Sequence, residues 1–240
     1  MDIFKKEMSG YTYHYVGHAQ RKLYLGCEIE FDGMTPSISA DTMARRCIDI
    51  LRTGGIHSHA TLDGSLNRGR ELIVHPATLD VYKLVYPSFL KMFRELNNAQ
   101  YFDEEGRTGG HVHVSRRFFG KDMETRERNV DRLIAWVYAN REAFKKFAMR
   151  DSRWARYNET RSSDKYVAIN TLHDKTIEFR IFDGVKMAQN LLANLELVEL
   201  ISMAVATGTT RVIENMDLDA LITSYARTHR NAYAHWLSVK

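Results

Sequence analysis

The chain has 240 residues, 44% hydrophobic and 27% charged, with a formal net charge of +4 and three prolines. This is ordinary globular composition with enough length for a sizeable core, and it excludes a disordered or fibrous protein. Two cysteines exclude a disulfide scaffold, and the mild, scattered basicity allows nucleic-acid binding without indicating it.

Residues 1–22 are polar and aromatic without helical period. They read as an irregular lead-in, in which Tyr11, Tyr13 and Tyr15 could form a short edge strand. The charged start lacks a signal-peptide core, and the longest apolar run, Leu197–Ala206, is broken by Glu199. The expectation is a soluble cytoplasmic protein with no membrane partner.

The first clear element, Tyr24–Phe31, alternates as a strand. Leu25, Cys27, Ile29 and Phe31 take one face, and Gly26, Glu28 and Glu30 the other. Two carboxylates side by side repel, and burying either unpaired is costly, so a divalent cation would relieve the pair. Asp41 reads as the N-cap of a helix through Leu51, stopped at Gly54-Gly55. Ile56–Thr61 and Arg70–Pro76 read as strands about an Asp63-Gly64 turn, with Glu71, Ile73 and His75 on a shared face. Thr78 opens a helix that kinks or restarts at Pro87.

After a polar loop, Asp103–Gly110, the run His111–Ser115 alternates histidines and serine against valines. Glu124–Met149 reads as one long amphipathic helix, with Trp136 a packing residue. Arg150–Asp164 reads as a solvated basic loop, with a triphosphate clamp as the alternative, and Trp154 as packing. Tyr166–Thr171 and Lys175–Asp183 read as a hairpin turning near His173-Asp174. Met187–Thr207 is a helix, and Asp217 starts the last one.

The polar faces of these strands offer Glu28, Glu30, Glu71, His111, His113, Glu178 and Arg180. Exposed strands usually show threonine and lysine. Carboxylates, histidines and one arginine on the same parity of successive strands suit Mg²⁺ and a nucleotide instead. Arg180 could hold a transferring phosphate bidentately. Zinc is the competitor for the His-x-His pair, but most of the donors are carboxylates.

The ordered segments Gly26–Glu30, Leu62–Leu66, Arg70–Pro76, Gly110–Arg116 and Thr176–Phe182 resemble the putative amidoligase family. That family belongs to the carboxylate–amine ligase superfamily, alongside glutamine synthetase and glutamate–cysteine ligase. The resemblance runs from Leu23 to Thr207. It implies an α+β fold in which a curved antiparallel sheet holds Mg²⁺ (or Mn²⁺) and ATP on its concave face and packs helices on its convex face, like the glutamine synthetase catalytic domain. It also implies a single catalytic domain over 23–240, and amide formation between a carboxylate and an amine through an acyl phosphate. By the same resemblance Glu28, Glu30, Glu71, His111 and Glu178 ligate metal. His113, Ser115, Arg116, Lys165 and Asn170 contact the nucleotide, Arg180 stabilises the transferring phosphoryl group, and Asp63, with Ser65, positions substrate. Members of this length occur in bacteriophages, implying a phage-encoded protein in the host cytoplasm. Asp183-Gly184-Val185 departs from the family's Arg-Gly-Thr, and Lys165 from its arginine. The alternatives are a metal-dependent hydrolase or nuclease, and a non-catalytic phage binding or virion-associated protein. Neither substrate nor oligomeric state can be read from the sequence.

Overall fold

The computed structural model describes residues 23–102, 108–207 and 216–240. The lead-in 1–22, with its tyrosine strand, and residues 103–107 of the polar loop lie outside them. The elements in order are β1 (Leu25–Phe31), α1 (Ala40–Thr53), β2 (Ser58–Thr61), β3 (Arg70–Ala77), α2 (Leu79–Leu84), α3 (Tyr86–Asn98) and β4 (Gly109–Ser115). A 3-10 turn (Arg116–Phe119), α4 (Met123–Ala139), α5 (Arg141–Ala148), β5 (Ile169–Asn170), β6 (Thr176–Asp183), α6 (Ala188–Thr207), α7 (Leu218–Ser224) and α8 (Arg230–Val239) follow.

The strands form one six-stranded antiparallel sheet in the order β2-β3-β1-β4-β6-β5, so the fold is α+β. Alternation decides which face is core. Leu25, Cys27, Ile29 and Phe31 of β1 join Leu72, Val74, Val112, Val114, Ile177 and Phe179 in one buried cluster with Met43, Tyr82, Phe89, Leu133, Phe144 and Leu195 from the helices. Each large side chain buried there stabilises the fold by about 1.5–3 kcal/mol. Tyr82 ties helix to sheet as well, its hydroxyl donating to the Leu25 carbonyl at 2.9 Å. Cys27 lies on this face, buried, with its thiol pushed up to about 12 by burial. A thiol held in that protonated state is no nucleophile.

Four local expectations change. The N-cap of α1 is Ser39, whose side chain accepts the Thr42 N–H, and Asp41 lies within the first turn. The long helix breaks at Asn140 into α4 and α5. Asn140 accepts the Leu218 N–H at 3.0 Å and donates to the Trp136 carbonyl at 3.0 Å, so a tertiary contact ends a run of good helix formers. The helix from Asp217 is followed by another, α8, whose start has no capping side chain of its own. The buried carboxylate of Glu196 on α6 caps it instead, accepting from Asn231 N (2.8 Å) and Ala232 N (2.9 Å). Trp154 is partly exposed, edge-on to Tyr166 at 4.8 Å, whereas Trp136 is buried as expected.

Pro87 marks a restart. α2 ends at Leu84 and α3 begins at Tyr86 with proline in its first turn, where its missing N–H costs nothing. Among the described residues no helix is long and apolar enough to cross a membrane.

Candidate metal site

The second face of the sheet gathers the polar residues because the register aligns them. Glu30 pairs across from Glu71, Glu28 from His111, and His113 from Glu178. The face is less open than its composition suggests: Glu30, His111 and Glu178 are all buried.

Two ligand triads result, each with its atoms within 4.8 Å of one another. Glu28, His111 and Glu178 form an outer triad, and Glu30, Glu71 and His111 an inner one. His111 joins them, with Nδ1 3.0 Å from Glu28 and 3.4 Å from Glu178, and Nε2 3.9 Å from Glu30.

The outer triad is densely hydrogen-bonded. Glu178 accepts from Arg180 Nη1 at 2.6 Å and Asn170 Nδ2 at 2.6 Å, and lies 3.3 Å from His173 Nε2. Burial raises its carboxyl and the Glu28 charge adds to that, but the His173 hydrogen bond and the His113 and His111 charges outweigh both, holding it at about 2. Glu28 meets His113 Nε2 at 2.9 Å. Burial pushes Glu28 up, yet His113 and His111 hold it well below the usual range. Burial lowers His113, but Glu28 brings it up to about 9.

The inner triad is under-neutralised. Burial raises the Glu30 carboxyl, with His111 and the Gly109 N–H (2.5 Å) offsetting only part. Burial, then the charge and hydrogen bond of Glu28, then Glu30 and Asp63, push Glu71 well above its ordinary value. Asp63 is placed by the β2–β3 connection, which buried Asp32 pins by accepting from Asn67 N and Arg68 N at 2.8 Å. Gly69 must be glycine, because a Cβ there would strike the Phe31 carbonyl. Asp63 accepts the Ser65 N–H at 2.6 Å, closing the turn.

The structure therefore brings together Glu28, Glu30, Glu71, His111 and Glu178, with His113, Asn170 and Arg180 in contact with them and Asp63 at the inner end. It does not bring Ser115, Arg116 or Lys165 to the triads. Ser115 ends β4 opposite Thr176. Arg116 clamps the β5–β6 turn, donating to the His173 carbonyl at 2.9 Å and to the Thr171 carbonyl, and pairs with Glu127 at 3.3 Å. Lys165 is exposed, 5.0 Å over the Tyr166 ring.

Two neighbours escaped the sequence reading. His173 sits in a turn recognised only as a turn, and its ring meets His113 edge-on at 5.8 Å. Arg150 was one of several basic residues in an aperiodic loop. A buried His59–His75 pair, 3.1 Å apart, also adjoins Glu71 on β2 and β3.

The donor set fits a hard divalent cation. Its donors are four carboxylates and one shared imidazole, and two of the carboxyls are held toward the protonated state. The buried Nε2 of His111 has no hydrogen-bond partner. Mg²⁺ suits the oxygens, and Mn²⁺ accepts the imidazole more readily.

No family model and no curated protein match the chain. Among solved structures it is similar to the ligase PafA in complex with the prokaryotic ubiquitin-like protein Pup, at 13% identity and TM-score 0.41, over 78% of this chain and 47% of that one. It is also similar to a 3-hydroxy-3-methylglutaryl-coenzyme A reductase of Streptococcus pneumoniae, at 11% identity and TM-score 0.21, over 92% and 72%. The chain thus spans about half of the ligase. Overlaps this low decide nothing about function, which is read from the site itself.

Proposed function

We propose that the protein is an Mg²⁺- and ATP-dependent carboxylate–amine ligase. The observation that carries this reading is the pair of triads hinged on His111, with Arg180 at the outer one. Four carboxylates converging on one buried face repel one another, which a bound cation would relieve, and the site is graded in charge from one end to the other. Glu28, His111 and Glu178 would hold one ion, and Glu30, Glu71 and His111 another. Bound there, the ions would neutralise phosphate charge.

The residues of this chain do the rest. Arg180 is held by Glu178 with its Nε buried and without a partner, so it keeps donor capacity for a phosphate oxygen. Asn170 and His173 fix the Glu178 carboxylate from its other oxygen. Asp63, at the inner end, would orient the incoming amine. The carboxylate would take the γ-phosphoryl group of ATP, releasing ADP, and that amine would displace phosphate from the acyl phosphate and lose a proton to give the amide. A metal-dependent hydrolase would use the same ligands with water.

ATP with Mg²⁺ should raise the thermal midpoint, while ATP with a chelator should not. Glu178→Gln should remove that response. A wild-type protein indifferent to every nucleotide at millimolar concentration would rule the ligase out. Mg²⁺-dependent nicking of DNA or RNA in its place would establish the hydrolase.

A further inference from the structure

The basic loop after α5 is not uniform. Arg156 pairs with Asp164, and Arg161 with Glu127 and Asp131. Arg150 has no carboxylate partner among the described residues. Its Nη1 donates to the Phe182 carbonyl at 2.7 Å and reaches that of Arg180 at 3.4 Å, while its Nε donates to Ser152 Oγ at 3.1 Å. Three neutral acceptors hold a half-buried cation in place, and the Glu30 and Asp183 carboxylates act on it without forming a close ion pair.

The carbonyls of β6 aim that cation at the first residues of β4. The point a Gly109 Cβ would occupy lies 2.7 Å from Arg150 Nη1 and 3.0 Å from His111 Nε2. Only because Gly109 is bare can the guanidinium come this close to the inner triad. His111 Nε2, buried and without a hydrogen-bond partner, faces the same place, and the Glu30 carboxylate accepts the Gly109 N–H. An unpartnered ring nitrogen of a ligand triad leaves room for a cation, and a guanidinium invites an anion. Where both border one place, the matching ligand is an oxyanion that arrives with a divalent ion.

We propose that Arg150, seated on Gly109, binds an oxyanion of the carboxylate or phosphate type at the inner triad, as a second cationic end distinct from Arg180. The inference deepens the ligase reading and rests on it only for the ligand's source, either the acid substrate or the nucleotide. Arg180 is in direct contact with Glu178, whereas the Arg150 guanidinium is held by carbonyls and a hydroxyl and keeps donors for an incoming anion.

The test uses the full chain with saturating Mg²⁺. Inorganic phosphate and acetate are titrated separately while the arginine side-chain Nε–H resonances are followed by NMR, with Arg150 assigned from Arg150→Lys. One of the two anions should shift the Arg150 resonance saturably. Its affinity, read by calorimetry at saturating Mg²⁺, should fall at least tenfold in Arg150→Gln and in Gly109→Ala, with Mn²⁺ affinity by electron paramagnetic resonance unchanged within twofold in Arg150→Gln. Phosphate alone shifting the signal assigns the cradle to the nucleotide, and acetate alone assigns it to the acid substrate. Gly109→Ala keeps the arginine and so preserves the test should Arg150→Gln fold poorly. Anion affinity unaltered in the variants, or no shift with either anion, overturns the proposal. Loss of the ATP response with phosphate or acetate binding intact would count against the ligase reading and leave the cradle standing.

Discussion

The two triads share a histidine and a sheet face but hold their charge in opposite ways. At the outer end Glu178 meets Arg180, Asn170 and His173, and its carboxyl is held at about 2. At the inner end Glu71 is surrounded by Glu28, Glu30 and Asp63, and its carboxyl is held well above the ordinary range. The outer end is preorganised by the protein, whereas the inner end is completed only when a cation displaces a proton. One sheet therefore carries a site finished at one end and conditional at the other, which would suit the proposed ligase in assembling its centre around its ligands.

The largest effect should come from dismantling the finished end. Glu178→Ala strands the Arg180 guanidinium, the Asn170 amide and the His173 imidazole together, and losing one member of a buried pair costs about 3–5 kcal/mol. Urea unfolding of metal-free protein at pH 7 checks this. A cost below about 1 kcal/mol would mean that the outer end is no better organised than the inner.

The next effect separates the ends by pH. His113 rises from 6.5 to about 9 in the folded chain because Glu28 favours its charged form. A raised pKa adds stability that is fully present below pH 6.5 and is lost as pH rises through about 9. The shift corresponds to about 3–4 kcal/mol at most. Urea midpoints of metal-free protein should fall across that window, and His113→Asn should flatten much of the fall. Glu71 is also raised and acts in the same direction, as do the buried thiols of Cys27 and Cys47 near pH 9, so part of the slope should survive in His113→Asn. An unchanged slope in His113→Asn would show that the Glu28–His113 pair does not carry the effect.

The strands and their polar face were legible because period-two alternation survives in sequence: Glu28 and Glu30 against Cys27 and Ile29, His111 and His113 against Val112 and Val114. What alternation cannot supply is strand order. The β2-β3-β1-β4-β6-β5 arrangement sets Glu30 across from Glu71 and His113 across from Glu178, and so divides five ligands into two triads. Arg150 was illegible for a related reason, since carbonyls of β6, about thirty residues away in the chain, distinguish it from its neighbours. The break at Asn140 and the cap of α8 by Glu196 are likewise tertiary contacts imposed on sequence that locally says something else. Arg116 is illegible in the same way, since its contacts to the His173 and Thr171 carbonyls come from a turn over fifty residues away.

The smallest effect on stability is also the sharpest test of the comparison. Burial beside Glu28 and Glu30 favours the protonated form of Glu71, and Glu71→Gln mimics that form in shape, with an amide that can still donate to Glu28. Metal-free stability at pH 7 should therefore change by less than about 1 kcal/mol. Metal binding should respond quite differently. In the wild type an ion at the inner triad competes with a proton on Glu71, so Mn²⁺ affinity should climb with pH, by up to about tenfold per unit for one proton. Glu71→Gln removes both the ligand and the proton, so inner-site affinity should drop while this part of the pH slope disappears. Mn²⁺ titrations followed by electron paramagnetic resonance at pH 6.5, 7.5 and 8.5 (chosen to span neutrality), beside urea melts of the same variant, read both quantities. If Glu71→Gln destabilises the metal-free chain as much as Glu178→Ala does, the inner carboxyl is ionised and paired. The two ends of the site would then be alike.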